Sequence, residues 1–145
     1  MTQEPNAITL LRADHGAVIQ LCQAFTQLVA RGASDVEKLA EVERICLLQS
    51  IHTQVENELF YPGVRAVMAA DAQIDQAQAD DWLLKDLMAE VIAMHPSEAG
   101  YESKVRTLCQ AIDHHVNQQD TRIFPRAIEA MTDLKFIGTE MVQLT

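Results

Sequence analysis

The stretch Ile8-Thr9-Leu10-Leu11-Arg12-Ala13-Asp14-His15-Gly16-Ala17-Val18-Ile19-Gln20-Leu21-Cys22-Gln23-Ala24-Phe25-Thr26-Gln27-Leu28-Val29 carries the pattern that decides the fold. Ile8, Leu11, His15, Val18, Cys22, Phe25 and Val29 follow one another at spacings of 3, 4, 3, 4, 3 and 4. That rhythm is the seam of a helix that packs within a bundle. Its one polar member is His15. Arg31-Gly32-Ala33-Ser34-Asp35 then reads as a turn, with Gly32 suited to a C-terminal cap and Ser34 or Asp35 suited to cap the next helix.

Three more stripes follow. Ile45, Leu48, His52, Val55 with Glu56, and Leu59 form the second, which should stop or bend near Pro62-Gly63. Ile74, Ala77, Asp81, Leu84, Met88 and Val91 form the third, closed by His95-Pro96-Ser97-Glu98-Ala99-Gly100. The fourth runs through Val105, Leu108, Ile112, His115, Gln119 and Arg122 with Ile123, up to an end or kink at Phe124-Pro125. Residues 134–144 can add a short fifth helix. Four helices of roughly 20 to 27 residues on short connections predict an all-α, up-down-up-down antiparallel four-helix bundle. The segments 51–62 and 114–125 also echo each other, since each has a histidine ten residues before a proline and an acid or amide four after the histidine. The echo suggests a pseudo-twofold bundle.

Composition agrees. The 145 residues, 48 % of them hydrophobic, suit one compact domain, residues 1–145, and only five Gly and four Pro leave little room for a turn-rich fold. A net charge of −10 repels phosphate backbones and anionic lipids, so neither a nucleic acid nor a membrane surface is an expected partner. No apolar run is long enough to span a bilayer, and Met1-Thr2-Gln3-Glu4-Pro5 lacks the basic-then-apolar pattern of a secretory leader. A soluble, cytoplasmic protein is the expectation. Cys22, Cys46 and Cys109, odd in number and far apart, read as buried thiols rather than a disulfide framework.

Each stripe is interrupted by a residue able to ligate a metal. His52 and Glu56 stand one helical turn apart, as do His115 and Gln119. With His15 and Asp81 at similar depth, the bundle would hold three imidazoles, two carboxylates and one amide around its centre, a set suited to a divalent metal. Taken singly, His15 is more often a satisfied core histidine, and Asp81 more often a helix cap or dipole partner. His52 with Glu56 is stronger, because burying both without a cation or partner costs several kcal/mol. His95 belongs to a loop, while His114 and Asp120 lie off the seam. Tyr61 and Trp82 read as core or boundary packing, or as cavity lining. The methionines Met68, Met88, Met94, Met131 and Met141 read as gap fillers.

Asp14-His15, His52-x-x-x-Glu56 before Leu59-Phe60-Tyr61-Pro62, Ala93-Met94-x-Pro96 before Tyr101-x-x-Lys104-Val105, and His114-His115-Val116 before Ile123-Phe124-Pro125 resemble the signatures of hemerythrin-like proteins with an HHE cation-binding domain. The resemblance covers nearly the whole chain. It implies a four-helix bundle holding a non-haem di-iron centre that binds, senses or reacts with O2 or a related oxidant. His15, His52, Glu56 and His115 match ligand positions. Two positions depart: Asp81, within Asp80-Asp81-Trp82, stands where the family has a third-helix His, and Gln119 stands where it has a second bridging Glu.

A neutral amide offers one good oxygen donor where a carboxylate bridges with two. On the resemblance, the half built on His15, His52 and Glu56 is nearly complete, and the half built on Asp81, His115 and Gln119 is altered. Three outcomes stay open: two irons in altered geometry, one iron or zinc ion, or no metal, with hydrogen bonds from Gln119 to Glu56 and between Asp81 and His115 closing the core. The last would make the chain a helical scaffold, as a homodimer or a regulatory binding module. No nucleotide, flavin or nucleophile motif is present, so any enzyme activity would depend on the metal.

Overall fold

The computed structural model describes residues 6–68, 71–130 and 134–144. Met131 and the segment 1–5 lie outside the described residues. Four long helices, α1 (Ala7–Ala30), α2 (Asp35–Val55), α4 (Ala72–Ile92) and α5 (Tyr101–Gln118), form the antiparallel bundle, with α1 against α2 and α5, and α4 against α2 and α5. Shorter helices α3 (Tyr61–Met68), α6 (Phe124–Ala130) and α7 (Leu134–Leu144) complete it. The fifth helix falls where the sequence placed it.

Local chemistry sets the helix ends. The Asn6 side chain accepts the Thr9 amide of α1 at 3.0 Å. Ser34 and Glu37 form a reciprocal capping box at the start of α2, and the Asp71 carboxylate caps α4 at the Gln73 amide. Gly32, at φ +68°, turns the chain out of α1 in the left-handed conformation that glycine adopts without a Cβ penalty.

Pro62 and Pro125 do not stop their helices. Each is preceded by one π-helical turn, Glu56–Phe60 after α2 and Gln119–Ile123 after α5, and the chain then resumes α-helix at Tyr61 and Phe124. In an unbroken α-helix the proline ring presses on the carbonyl four residues earlier. The wider turn relieves that contact, and the Tyr61 and Phe124 amides reach back to the Glu56 and Gln119 carbonyls. Both π turns begin on the residue that stands four after the seam histidine. The internal echo of the sequence is thus an echo in backbone geometry.

The apolar core is in two parts. One gathers Leu11, Val55, Phe60, Tyr61, Ile74 and Phe124 among others, and the second gathers Val18, Phe25, Ile45, Leu84, Leu108 and Ile112. His15, His52, Asp81 and His115 fall in sequence between members of the two, so the polar residues form a layer across the bundle. Met88 and Met141 are buried gap fillers as expected. Trp82 is not packed inside: it is 65 % exposed beside Lys85, whose ammonium lies 5.2 Å from the indole ring centre. It lines, with Asp81, Asn57 and Met88, a cavity of about 550 Å³, which is the cavity-lining role read from the sequence.

The three cysteines are not all free thiols. Cys22 of α1 is disulfide-bonded to Cys109 of α5, and only Cys46 is a buried free thiol among the described residues. The two bonded positions lie 87 residues apart, a pairing that spacing could not reveal.

Helix α7 lies against α1 and the first π turn. A Cβ on Gly138 would sit 2.7 Å from Asn6 Cα and 2.8 Å from Asn6 C, both backbone atoms. Gly138→Ala should therefore push α7 off α1 and lower stability by about 1–3 kcal/mol, read from urea unfolding. An unchanged midpoint would mean that α7 does not dock this closely.

Candidate metal centre

All six residues singled out from the seams lie inside the bundle, at 0 to 3 % exposure. His15 comes from α1, His52 from α2, Asp81 from α4 and His115 from α5, while Glu56 and Gln119 open the two π turns. The helix end is capped by Asp71, so Asp81 is not a cap.

The structure sorts them into two groups. Glu56, Asp81 and His115 bring ligand atoms within 4.8 Å of one another. His115 Nε2 lies 3.0 Å from Asp81 Oδ1 and 3.4 Å from Glu56 Oε2, and His52 Nε2 lies 2.6 Å from Glu56 Oε1. The second group is tied by hydrogen bonds: His15 Nε2 meets Gln119 Oε1 at 2.8 Å, and the Gln119 amide nitrogen donates to Glu56 Oε2 and, at 2.7 Å, to the Tyr61 hydroxyl. The convergent donors are therefore Glu56, Asp81 and His115, and His52 meets them only through Glu56 Oε1. His15 stands apart with Gln119.

Three side chains that sequence reading left outside the site hold it in place. Asp14 Oδ2 accepts from His52 Nδ1 at 3.0 Å, and Asp120 Oδ1 lies 3.3 Å from His15 Nδ1. The Asp14 contact leaves His52 Nε2 pointing inward, the arrangement by which a carboxylate fixes the tautomer of a ligating histidine, whereas His15 Nε2 donates to the Gln119 carbonyl oxygen. Tyr61, read as packing, donates its hydroxyl to Glu56 Oε2 at 2.5 Å. The adjacent pair Asp14-His15 was visible in sequence, but Asp14 serves the histidine of the neighbouring helix. Asp120 similarly reaches α1 from the second π turn. His114 and His95 are exposed, as expected. On the outer side of Asp81, Asn57 Nδ2 approaches Oδ2 at 3.5 Å.

The electrostatics follow from burial and proximity. Burial pushes the His52 imidazole down, yet the Glu56 carboxylate, with Asp14, overcomes it and raises the group to about 9. His115 is likewise disfavoured by burial but held up at about 10 by Asp81 and Glu56. Glu56, despite burial, lies well below the usual carboxylate range because of His52 and His115. Burial and the Glu56 charge lift Asp81 to about 6, against the pull of His115. His15 is lowered by burial and by His52, and its ring stacks on Phe124 at 5.6 Å. Tyr61 is raised well above its usual value by burial and the two carboxylates.

Whether these residues suit a cation can be judged from the buried atoms themselves. His52 Nε2, Glu56 Oε1 and Asp81 Oδ1 are fully enclosed, and none makes an aligned hydrogen bond although each has an opposite polar atom within 3.0 Å. Native interiors seldom leave such atoms unmatched. These three atoms, with His115 Nε2 beside Asp81 and within reach of Glu56 Oε2, form a donor set of the mixed N/O kind that suits iron or zinc.

A helical bundle with a buried His/carboxylate layer of this kind is an architecture in which cation sites are built. The model of the hemerythrin HHE cation binding domain matches residues 6–127, and the chain belongs to that family. The crystal structure of an HHE cation binding domain-containing protein from Mycobacterium kansasii superposes with a TM-score of 0.80, at 22 % identity, covering 95 % of this chain and 83 % of that one. That likeness concerns the fold. A Nostoc protein described as a DNA nickase is 27 % identical over 123 residues, which is 84 % of this chain and 33 % of that protein. The chain thus spans about a third of the length of the curated relative it matches. Among the described residues, no helix is long and apolar enough to cross a membrane.

Proposed function

We propose that the chain holds one transition-metal cation, iron first and zinc second, through Glu56, Asp81, His115 and His52, and that O2 or a related small oxidant is bound or sensed there. The supporting observation is the convergence of Glu56, Asp81 and His115 within 4.8 Å, with His52 Nε2, Glu56 Oε1 and Asp81 Oδ1 buried and without an aligned hydrogen bond. Iron bound at such a site would supply one-electron redox chemistry. The protein's part is to position and to protect. Asp14 orients His52, Tyr61 and Gln119 hold one oxygen of Glu56, and Phe124 and Phe60 close the layer on one side against water. His15, engaged with Gln119, is a reserve donor for a second ion in this reading.

The test is a thermal melt of the full chain loaded anaerobically with ferrous iron, repeated in excess chelator. A cation that binds only the folded state raises the melting temperature by mass action. A clear drop with chelator is expected, and identical melts would reject the proposal.

Metal binding should also depend steeply on pH. At neutral pH the imidazoles of His52 and His115, raised to about 9 and about 10, carry protons that a cation must displace. Affinity should therefore rise with pH, toward about a hundredfold per unit near pH 7 to 8 for two protons released. In chelator the sign reverses. Groups raised on folding stabilise fully below about 6.5, and that stabilisation fades as pH climbs through 9 and 10. Isothermal titration with zinc over a pH series, beside melts in chelator, measures both, and a pH-independent affinity would contradict the assignment of His52 and His115.

A second reading is a metal-free helical scaffold. It is favoured by the contacts from Gln119 to Glu56 and between Asp81 and His115, which draw the polar layer together within the protein. The activity named for the Nostoc protein is not carried over, since a net charge of −10 opposes binding to duplex DNA.

A further inference from the structure

The α1–α5 interface carries a second reactive feature, remote from the polar layer in the sequence of both helices. Cys22 is two turns beyond His15 on α1, and Cys109 lies six residues before His115 on α5. Both residues are half-buried and both line a cavity of about 350 Å³. Its inner side is apolar, with Phe25 and Ile112, and its outer side carries Gln110, Arg106, Asp113 and Glu102, the last paired with Lys38. A disulfide enclosed in packed core would be beyond the reach of a nucleophile, whereas this one borders a space large enough for a small molecule.

We propose that Cys22–Cys109 is a thiol–disulfide exchange site, and that the adjoining cavity seats a low-molecular-weight thiol of the cysteine-peptide type. Arg106 suits the carboxylate of such a molecule, Asp113 its ammonium, and Gln110 its peptide amide, while the apolar wall receives the thiol-bearing carbon.

The exchange runs in two balanced steps. The incoming thiolate forms a bond to Cys22 Sγ as the Cys22–Cys109 bond breaks, and Cys109 leaves as a thiolate that takes a proton from water. A second thiolate then attacks the sulfur of the bound thiol, releasing the small-molecule disulfide and the Cys22 thiolate, which is protonated in turn. Two thiols are oxidised to one disulfide, and the cysteine pair takes up the two electrons. Opening the bridge unties α1, which carries Asp14 and His15, from α5, which carries His115.

The experiment uses the full chain in chelator, so its outcome is independent of the metal proposal. Thiol titration after denaturation without reductant should find about one thiol per chain, from Cys46, and three would overturn the proposal. The folded protein is then treated with glutathione or with 2-mercaptoethanol at matched thiolate concentration, and bridge opening is followed by mass spectrometry after alkylation. Glutathione should act about fivefold faster or more, with a rate that saturates, and Arg106→Glu should erase the preference without altering the thiol count of untreated protein. Equal rates would overturn the docking of a zwitterionic thiol. A bridge that opens only in urea would overturn exchange altogether and leave a structural cross-link.

Discussion

Glu56→Ala should lower the unfolding free energy of the metal-free chain by about 3–5 kcal/mol, the largest loss expected from any single substitution in the polar layer. Glu56 has no exposed surface, and its two oxygens are the meeting point of His52, His115, Tyr61 and Gln119. Removing the carboxylate strands two imidazoles that it helps to keep protonated, leaves the Tyr61 hydroxyl without its acceptor and takes one of two acceptors from the Gln119 amide. Urea unfolding at neutral pH measures the loss. Glu56→Gln, which keeps the volume but not the charge, separates the electrostatic part from the cavity left by truncation. If Glu56→Ala cost less than about 1 kcal/mol, Glu56 would be no keystone of this layer.

Gln119→Glu should act in opposite directions with and without metal. The Gln119 amide nitrogen donates to Glu56 and to the Tyr61 hydroxyl, while its oxygen faces His15 Nε2. A carboxylate in its place has no donor for Glu56 and sets a second negative charge against it in a dry site. His15 offers little relief, because burial and the neighbouring His52 lower its affinity for a proton. In chelator the variant should lose about 2–4 kcal/mol. With excess ferrous iron or zinc the same carboxylate becomes a ligand, His15 is released from its amide partner, and metal capacity should rise toward about two ions per chain. Adding Asp81→His tests whether the third-helix departure acts in the same direction. A variant as stable as the parent in chelator, with no added metal, would contradict this reading of Gln119.

The bundle was legible because burial imposes a period, and the 3/4 spacing of each stripe survives in α1, α2, α4 and α5. The six polar interruptions were legible for the same reason, since each breaks a stripe that faces inward. What escaped lies in the rotation of one helix against another. Asp14 and Asp120 are off their own seams, yet each meets a histidine of a different helix, and Cys22 meets Cys109 across 87 residues. Tyr61 reads as core and is core, but its hydroxyl needed an acceptor, and only the π turn brings it to Glu56. The same turns explain why Pro62 and Pro125 punctuate the sequence without ending the helices. The division of the donors was not legible either. Whether Gln119 turns its amide to His15 or toward Asp81 depends on side-chain packing that no spacing records.

Metal content of the full chain after anaerobic equilibrium dialysis against ferrous iron bears most directly on the site. One cation held by Glu56, Asp81, His115 and His52 predicts about one ion per chain, reduced to background in Glu56→Ala. Fewer than about 0.2 ions per chain in the parent protein would contradict it and leave the polar layer as a closed hydrogen-bonded core.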